Sequence, residues 1–306
     1  TEIYLQNCTR WTETQETLED QIYLAGLVQC PTYFRLLKGS DAREFSVLTT
    51  ANNDQQQQQP NADTLRRQDI VDAIAAVRRT QPAIVNWTPW PILLLDVMER
   101  SQDNRAAVLV LVTNERLPFE EEDFVNAVKQ LQEKKTSIVV RYCTKDLAID
   151  HFYHTLDSTL NIAAVGDYIG ECVKVHQVNP WLNYALPLHR CREMGYTHPI
   201  LSELDKRPLT KAEVHQFLVL LFGTTMNDAP DVRLWKKYCA YVNQVNQGQG
   251  KHWRLETKKN EYWIDKGRLL NVEKKKNEYW IRKGRLLNVE KNSPSWFRRW
   301  RSSLRR

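Results

Sequence analysis

Two histidine groups and one repeated aromatic, basic segment hold the residue types most able to do chemistry in this chain of 306 residues. His151 and His154 stand three apart in DHFYH, with Asp150 and Asp157 nearby. On a helix that spacing brings two ligands to one face, as a metal site requires. No HExxH accompanies them, so a solvated or capping role is the simpler expectation. His189, Cys191 and His198 offer zinc-ligand types without a Cys-x-x-Cys pair, and are expected to pack or hydrogen-bond in a helical layer. The glycines of GxSxG, GxxxxGK(S/T) and GxGxxG do not occur, which removes nucleophile-elbow, phosphate-loop and dinucleotide readings. No catalytic residue and no cofactor are assigned, and the expectation is a protein that is not an enzyme.

The segment KKNEYWIDKGRLLNVEK (258–274) is followed at once by KKNEYWIRKGRLLNVEK (275–291), and the copies differ only where Asp265 becomes Arg282. Tyr262, Trp263 and Arg268 of the first copy, with Tyr279, Trp280, Arg282 and Arg285 of the second, are candidate partner-binding residues. A step of seventeen residues turns an α-helix by about 100°, so the two Tyr-Trp-Ile groups would not share one helical face. Gly267 and Gly284 interrupt the units. An Asp265-Lys266-Gly267 turn would make each a small hairpin; alternatively each is a short extended or helical segment docked on a neighbouring surface. An isolated hairpin is marginal in water, so Trp263, Ile264, Leu269 and Leu270 need something to bury them. We expect Trp263 to pack on its own body and Trp280 on something else, the plainer alternative being a duplication without a role.

The last residues, SPSWFRRWRSSLRR, place Ser293 and Pro294 as N-cap and first helical residue, with Trp296, Phe297, Trp300 and Leu304 in one stripe. Arg298, Arg299 and Arg301 complete a basic amphipathic helix. Such a helix suits an acidic protein groove, an anionic membrane surface or nucleic acid.

Charge points to the same end. The chain is +6 overall, yet residues 251–306 hold eighteen Lys and Arg against six Asp and Glu, so this stretch is +12 and the remainder −6. Attraction to an acidic partner should weaken with salt. The six cysteines are scattered without a CxxC pair, which suits a reducing intracellular compartment, cytoplasm or organelle. No apolar run is long enough to span a bilayer. The chain opens on Thr1, so a lost targeting segment is a further expectation.

Periodicity supplies the elements that must position these groups. A helix is expected over 12–28, with Thr12 and Gln15 in capping-box positions and Leu18, Ile22 and Ala25 on one face. A strand follows at 32–38, then a polar loop holding NNDQQQQQPN. Helices are expected over 65–79 and 92–100. AAVLVLVT (106–113) is a strand of the buried, central, parallel kind, and SIVVRYC (137–143) is the next, with a helix between them carrying Phe124, Ala127, Val128 and Leu131. Strand, helix, strand implies a parallel crossover. Thr210 and Glu213 cap a later helix with Val214, Phe217, Leu218 and Leu221 inward and Gly223 at its end. QVNQGQGK (244–251) reads as a hinge. Trp87 and Trp90, around Thr88-Pro89, are loop-packing aromatics or, if exposed, an apolar partner patch.

Several words of this pattern, CTRWTETQETLEDQIYLAGLVQCPTYFRLLK, VVRYCTKD, NPWLNYALPLHRCREMGY and LDKRPLTKAE, together resemble von Willebrand factor A-like proteins of microbial eukaryotes. The resemblance spans most of residues 8–223 and reaches YWID at 262–265. It implies a doubly wound, mostly parallel α/β sheet with helices on both faces. It also implies a cation site in which Thr88 matches a Thr-Pro position, and Asn114-Glu115 stands where such proteins commonly carry Asp-Gly. The first metal loop is absent, so these positions are read as vestigial and Mg²⁺ as the only cofactor to test.

The expected division is an A-like domain over 1–143, a helical layer of the same body over 144–243, a hinge over 244–257, two repeats over 258–291 and a basic helix over 292–306. The expected role is a scaffold or linker in a larger protein complex, with nucleic-acid or membrane association as alternatives.

Overall fold

The computed structural model describes residues 10–36, 43–47, 62–80, 90–100, 106–113, 116–118, 122–144, 146, 148–149, 151–153, 160, 162–196 and 198–272. They divide into two compact units. The first takes the residues up to Asp167 together with Arg190–Tyr196; the second takes Tyr168–His189 and the described residues from His198 onward.

The first unit is mixed α/β. Strands β3 (Ala107–Thr113), β4 (Thr136–Tyr142) and β5 (Ala163–Val165) form a parallel sheet in the order β3-β4-β5. β4 is the inner strand, with every residue but Ser137 buried, whereas β3 buries only Leu111 fully. The apolar run at 106–113 is therefore not the central strand among those described. Continuous hydrophobicity marks a parallel strand but does not rank it within the sheet.

Between β3 and β4 runs α4 (Glu122–Glu133), which buries Phe124, Ala127, Val128 and Leu131 as its 3.6-residue period requires. Each of its large apolar side chains contributes roughly 1.5–3 kcal/mol when removed from water. They share a core with Leu94 of α3 (Trp90–Arg100), and with Ile138, Val140 and Tyr142 of β4. Lys135 ends the crossover at φ 62°.

A second small core lies under α1 (Arg10–Val28), α2 (Ala62–Arg79) and an antiparallel pair, β1 (Thr32–Leu36) with β2 (Arg43–Val47). This pair is a sheet of its own beside the parallel one, and the short connection between its neighbouring strands forces antiparallel pairing. Thr12 and Gln15 prove not to be a capping box: Thr12 lies within α1, and Gln15 donates its amide to the Val77 carbonyl of α2 at 3.1 Å.

The second unit holds α5 (Tyr168–Val178), α7 (Lys211–Phe222), α8 (Trp235–Gln247), the hairpin β6 (His252–Arg254) with β7 (Lys259–Glu261), and the short α9 (Lys266–Leu269). The helix α6 (Leu186–Glu193) is divided between the units, its last four residues belonging to the first. The expected boundary at 143/144 thus falls at 167/168, since β5 pairs with β4 and carries the intervening chain with it. At α7 the expected capping box is present: Thr210 accepts from the Glu213 amide and Glu213 accepts from the Thr210 amide. Gly223 follows the helix at φ 61°, where a side chain would be strained. The expected hinge at 244–257 is absent. Gln244–Gln247 is the last turn of α8, and β6 starts five residues later.

Candidate interaction site

Residues 258–272, the described part of the first repeat copy, form a strap laid across the second unit. The strap starts as β7, bends at Trp263, passes the bridge residue Ile264 and closes with α9. Trp263, Ile264, Leu269 and Val272 are all buried, in one core with Trp181, Leu182, Phe217, Tyr238 and Val242. Trp263 is 8% exposed and its ring lies 4.2 Å from that of His252, centroid to centroid. The expectation that the first copy packs on its own body is met. Of the two alternatives, the first copy takes the docked short segment and not the hairpin: Gly267 lies inside α9, and the turn belongs to Leu255–Lys258, before β7.

The cleft is built by NPWLNY (179–184), using nearly every residue. Leu182 forms an isolated antiparallel bridge with Ile264. The Asn183 amide donates to the Trp263 carbonyl at 2.8 Å, and the Asp265 amide donates to the Trp181 carbonyl at 2.8 Å. The Asn183 side chain donates to the carbonyls of His252 and Glu261, so it clips both hairpin strands.

From α8, Asn246 reads the strap backbone at one residue: its Nδ2 donates to Ile264 O at 2.8 Å, and Ile264 N donates to its Oδ1 at 3.2 Å. Asn246 is 2% exposed, which makes this pairing a buried substitute for a β-ladder rung. Asn179 holds the cleft itself, donating to the Leu204 and Arg207 carbonyls and accepting from Leu209 N and Trp181 Nε1. One asparagine thus satisfies four partners, three of the bonds buried.

Cations line one flank. Arg254, almost wholly buried, donates to Pro180 O at 2.8 Å and pairs with Glu256 and Glu261. Arg268 also donates to Pro180 O and lies 3.4 Å from His176 Nε2. Burial first, and then the two arginines, hold the His176 pKa below its ordinary 6.5, against the pull of Glu256. Burial does the same to His252. At the entrance to α9, Asp265 caps the helix by accepting from Arg268 N at 3.0 Å and pairs with the Arg268 guanidinium at 3.2 Å. Lys251 sits over the Tyr262 ring, beside a shallow hollow of about 230 Å³ lined by Asn260, Glu261 and Asp265.

Of the expected partner-binding residues, Trp263 and Arg268 are therefore engaged within the unit, and Tyr262 lies half-buried beside them. Tyr279, Trp280, Arg282, Arg285, Trp296, Phe297, Arg298, Arg299, Trp300 and Arg301 lie outside the described residues, as do the vestigial positions Thr88, Asn114 and Glu115. His151 is exposed in a helical turn, and His154 lies outside the described residues. His189 is buried with Tyr184 Oη 3.2 Å from its Nδ1, and His198 accepts from Ile200 N. Among the described residues no three His, Cys, Asp or Glu side chains form a group able to hold a metal ion, and no helix is long and apolar enough to cross a membrane.

One cluster in the first unit escaped sequence reasoning. Arg141, at the end of β4, donates to Glu193 at 2.5 Å and also to Glu13, while Arg190 joins Glu193, Asp20 and Thr17. Arg141 and Glu193 are buried, so this arginine–glutamate–arginine chain ties α1 and residues 190–193 to the sheet. Arg141 also reaches Cys143 Sγ at 2.9 Å, yet burial dominates there and pushes the thiol pKa up. The five described cysteines are free thiols.

No family model, curated protein or solved structure matches this chain.

Proposed function

We propose that this chain is a non-catalytic scaffold or linker: a von Willebrand factor A-like body that enters a larger protein assembly through its repeated basic, aromatic tail. The parallel β3-β4-β5 sheet with its α4 crossover supports the body. One observation carries the role. The first repeat copy is consumed in folding, with Trp263, Ile264, Leu269 and Val272 in the core, so the same apolar residues in 275–291 are surplus to that seat. The partner surface is acidic, in keeping with the +12 charge of residues 251–306. The Thr88, Asn114 and Glu115 positions serve no resident metal in this reading, because an amide replaces an expected carboxylate.

The test is the native mass of the assembly isolated with the full chain and with a chain lacking 275–291. The full chain should run in a particle well above its own 36.0 kDa, and the deletion should release it. An unchanged particle would refute the reading. Calorimetric titration with Mg²⁺ should give no saturable binding; a site lost in Thr88→Ala would reverse the metal part.

A further inference from the structure

The cleft of 179–184 and Asn246 recognises the strap mainly through its backbone and through Trp, Ile, Leu and Val side chains, and the second copy carries every one of these at the same spacing. We propose that residues 275–291 are an alternative occupant of this same cleft, exchanging with the first copy by a slip of seventeen residues within one molecule. In the slipped register Trp280 takes the seat of Trp263, Ile281 pairs with Asn246, and Arg285 reaches Pro180 in place of Arg268. This goes beyond the scaffold reading and does not depend on an outside partner.

Two differences set the preference. Arg282 stands where Asp265 caps α9 and pairs with Arg268, so the second copy lacks the cap and adds a cation beside Arg254, Arg285 and His176. Loss of a side-chain cap is worth about fivefold. The slip also lengthens the β6–β7 connection from Leu255–Lys258 by one whole repeat, which loop closure penalises by about tenfold. The first copy therefore holds the cleft in about 98% of molecules, the product of these two factors. A partner that pulls the first copy out meets a spare, and the core of the second unit stays closed.

The purified full chain tests this by a double-mutant cycle on folding equilibrium, with hydrogen exchange read at the Ile281 and Arg282 amides. Trp280→Ala alone should change stability less than twofold. In a Trp263→Ala background the slipped register becomes the major one, those two amides gain at least tenfold protection, and adding Trp280→Ala destabilises several-fold further. A Trp280→Ala effect equally small in both backgrounds, with the amides unprotected, overturns the proposal. Protection that rises with protein concentration overturns it too, in favour of a second copy of the chain as the host.

Should Trp263→Ala fail to fold, deletion of 258–274 decides, since it joins Lys275 to Thr257 with no added loop. A folded product with Ile281 protected supports the exchange. An unfolded one, beside a folded chain lacking 275–291, ends it. The cycle needs no partner, so its failure and that of the scaffold reading are separate results.

Discussion

Single side chains decide whether the strap stays down. Asn246→Ala removes both hydrogen bonds to Ile264 and leaves a buried N–H and C=O unpaired, at about 1–3 kcal/mol each. Denaturant unfolding of the variant should show a loss of about 2–6 kcal/mol in total, much of it absent when the strap is deleted. In the first unit, Glu193→Gln strands Arg141 and Arg190 without their shared carboxylate, so a loss of about 3–5 kcal/mol is expected in the same assay.

The pH dependence at this scale has two windows. His176 and His252 have depressed folded pKa values, so the unfolded chain takes up protons first; stability from both is full above about 6.5 and declines as pH falls below it. Glu213, held at about 2 against an ordinary 4.5 by Arg207, contributes stability that is full above 4.5 and lost towards pH 2. The protection factor of the Ile264 amide should therefore fall as pH is lowered from 7 to 5.5, and a double His176→Gln, His252→Gln variant should flatten that slope.

Elements were legible where a local rule decides them. The stripe Phe124, Ala127, Val128 and Leu131 and the Thr210–Glu213 capping box are local, and both stand as expected. Only the last turn of α8, Gln244–Gln247, was missed, because QVNQGQG reads as linker. The helix's stabilising contacts are the burial of Trp235, Tyr238 and Val242 and the Asn246–Ile264 pairing, which are tertiary. The turn of the strap hairpin was misplaced for a related reason. Glycine and aspartate at 265–267 advertise a turn, whereas the actual one takes a lysine, Lys258, at φ 52°. Lys258→Gly should accordingly stabilise the hairpin by about 0.5–1 kcal/mol, measured as a rise in melting midpoint.

The scale of the whole molecule was the least legible. Residues 190–196 return to the first unit through Arg190 and Glu193, with Gly195 at φ 85° against Val108, where a Cβ would fall 2.2 Å from Cγ1. No linear division of the sequence anticipates such a return, because the ion pairs join residues more than fifty positions apart. The cleft was legible only as an unusual word: NPWLNYALPLHRCREMGY stood out, but its use as the seat of a strap eighty residues later needed the fold.

In the proposed role one repeat copy is spent on folding and the other meets a partner. Placing a photo-crosslinking phenylalanine at 263 or at 280 in the native assembly tests it most directly. A cross-linked product of higher mass is expected from position 280 and only intrachain product from position 263. Equal yields from the two positions, or no intermolecular product from 280, would contradict it.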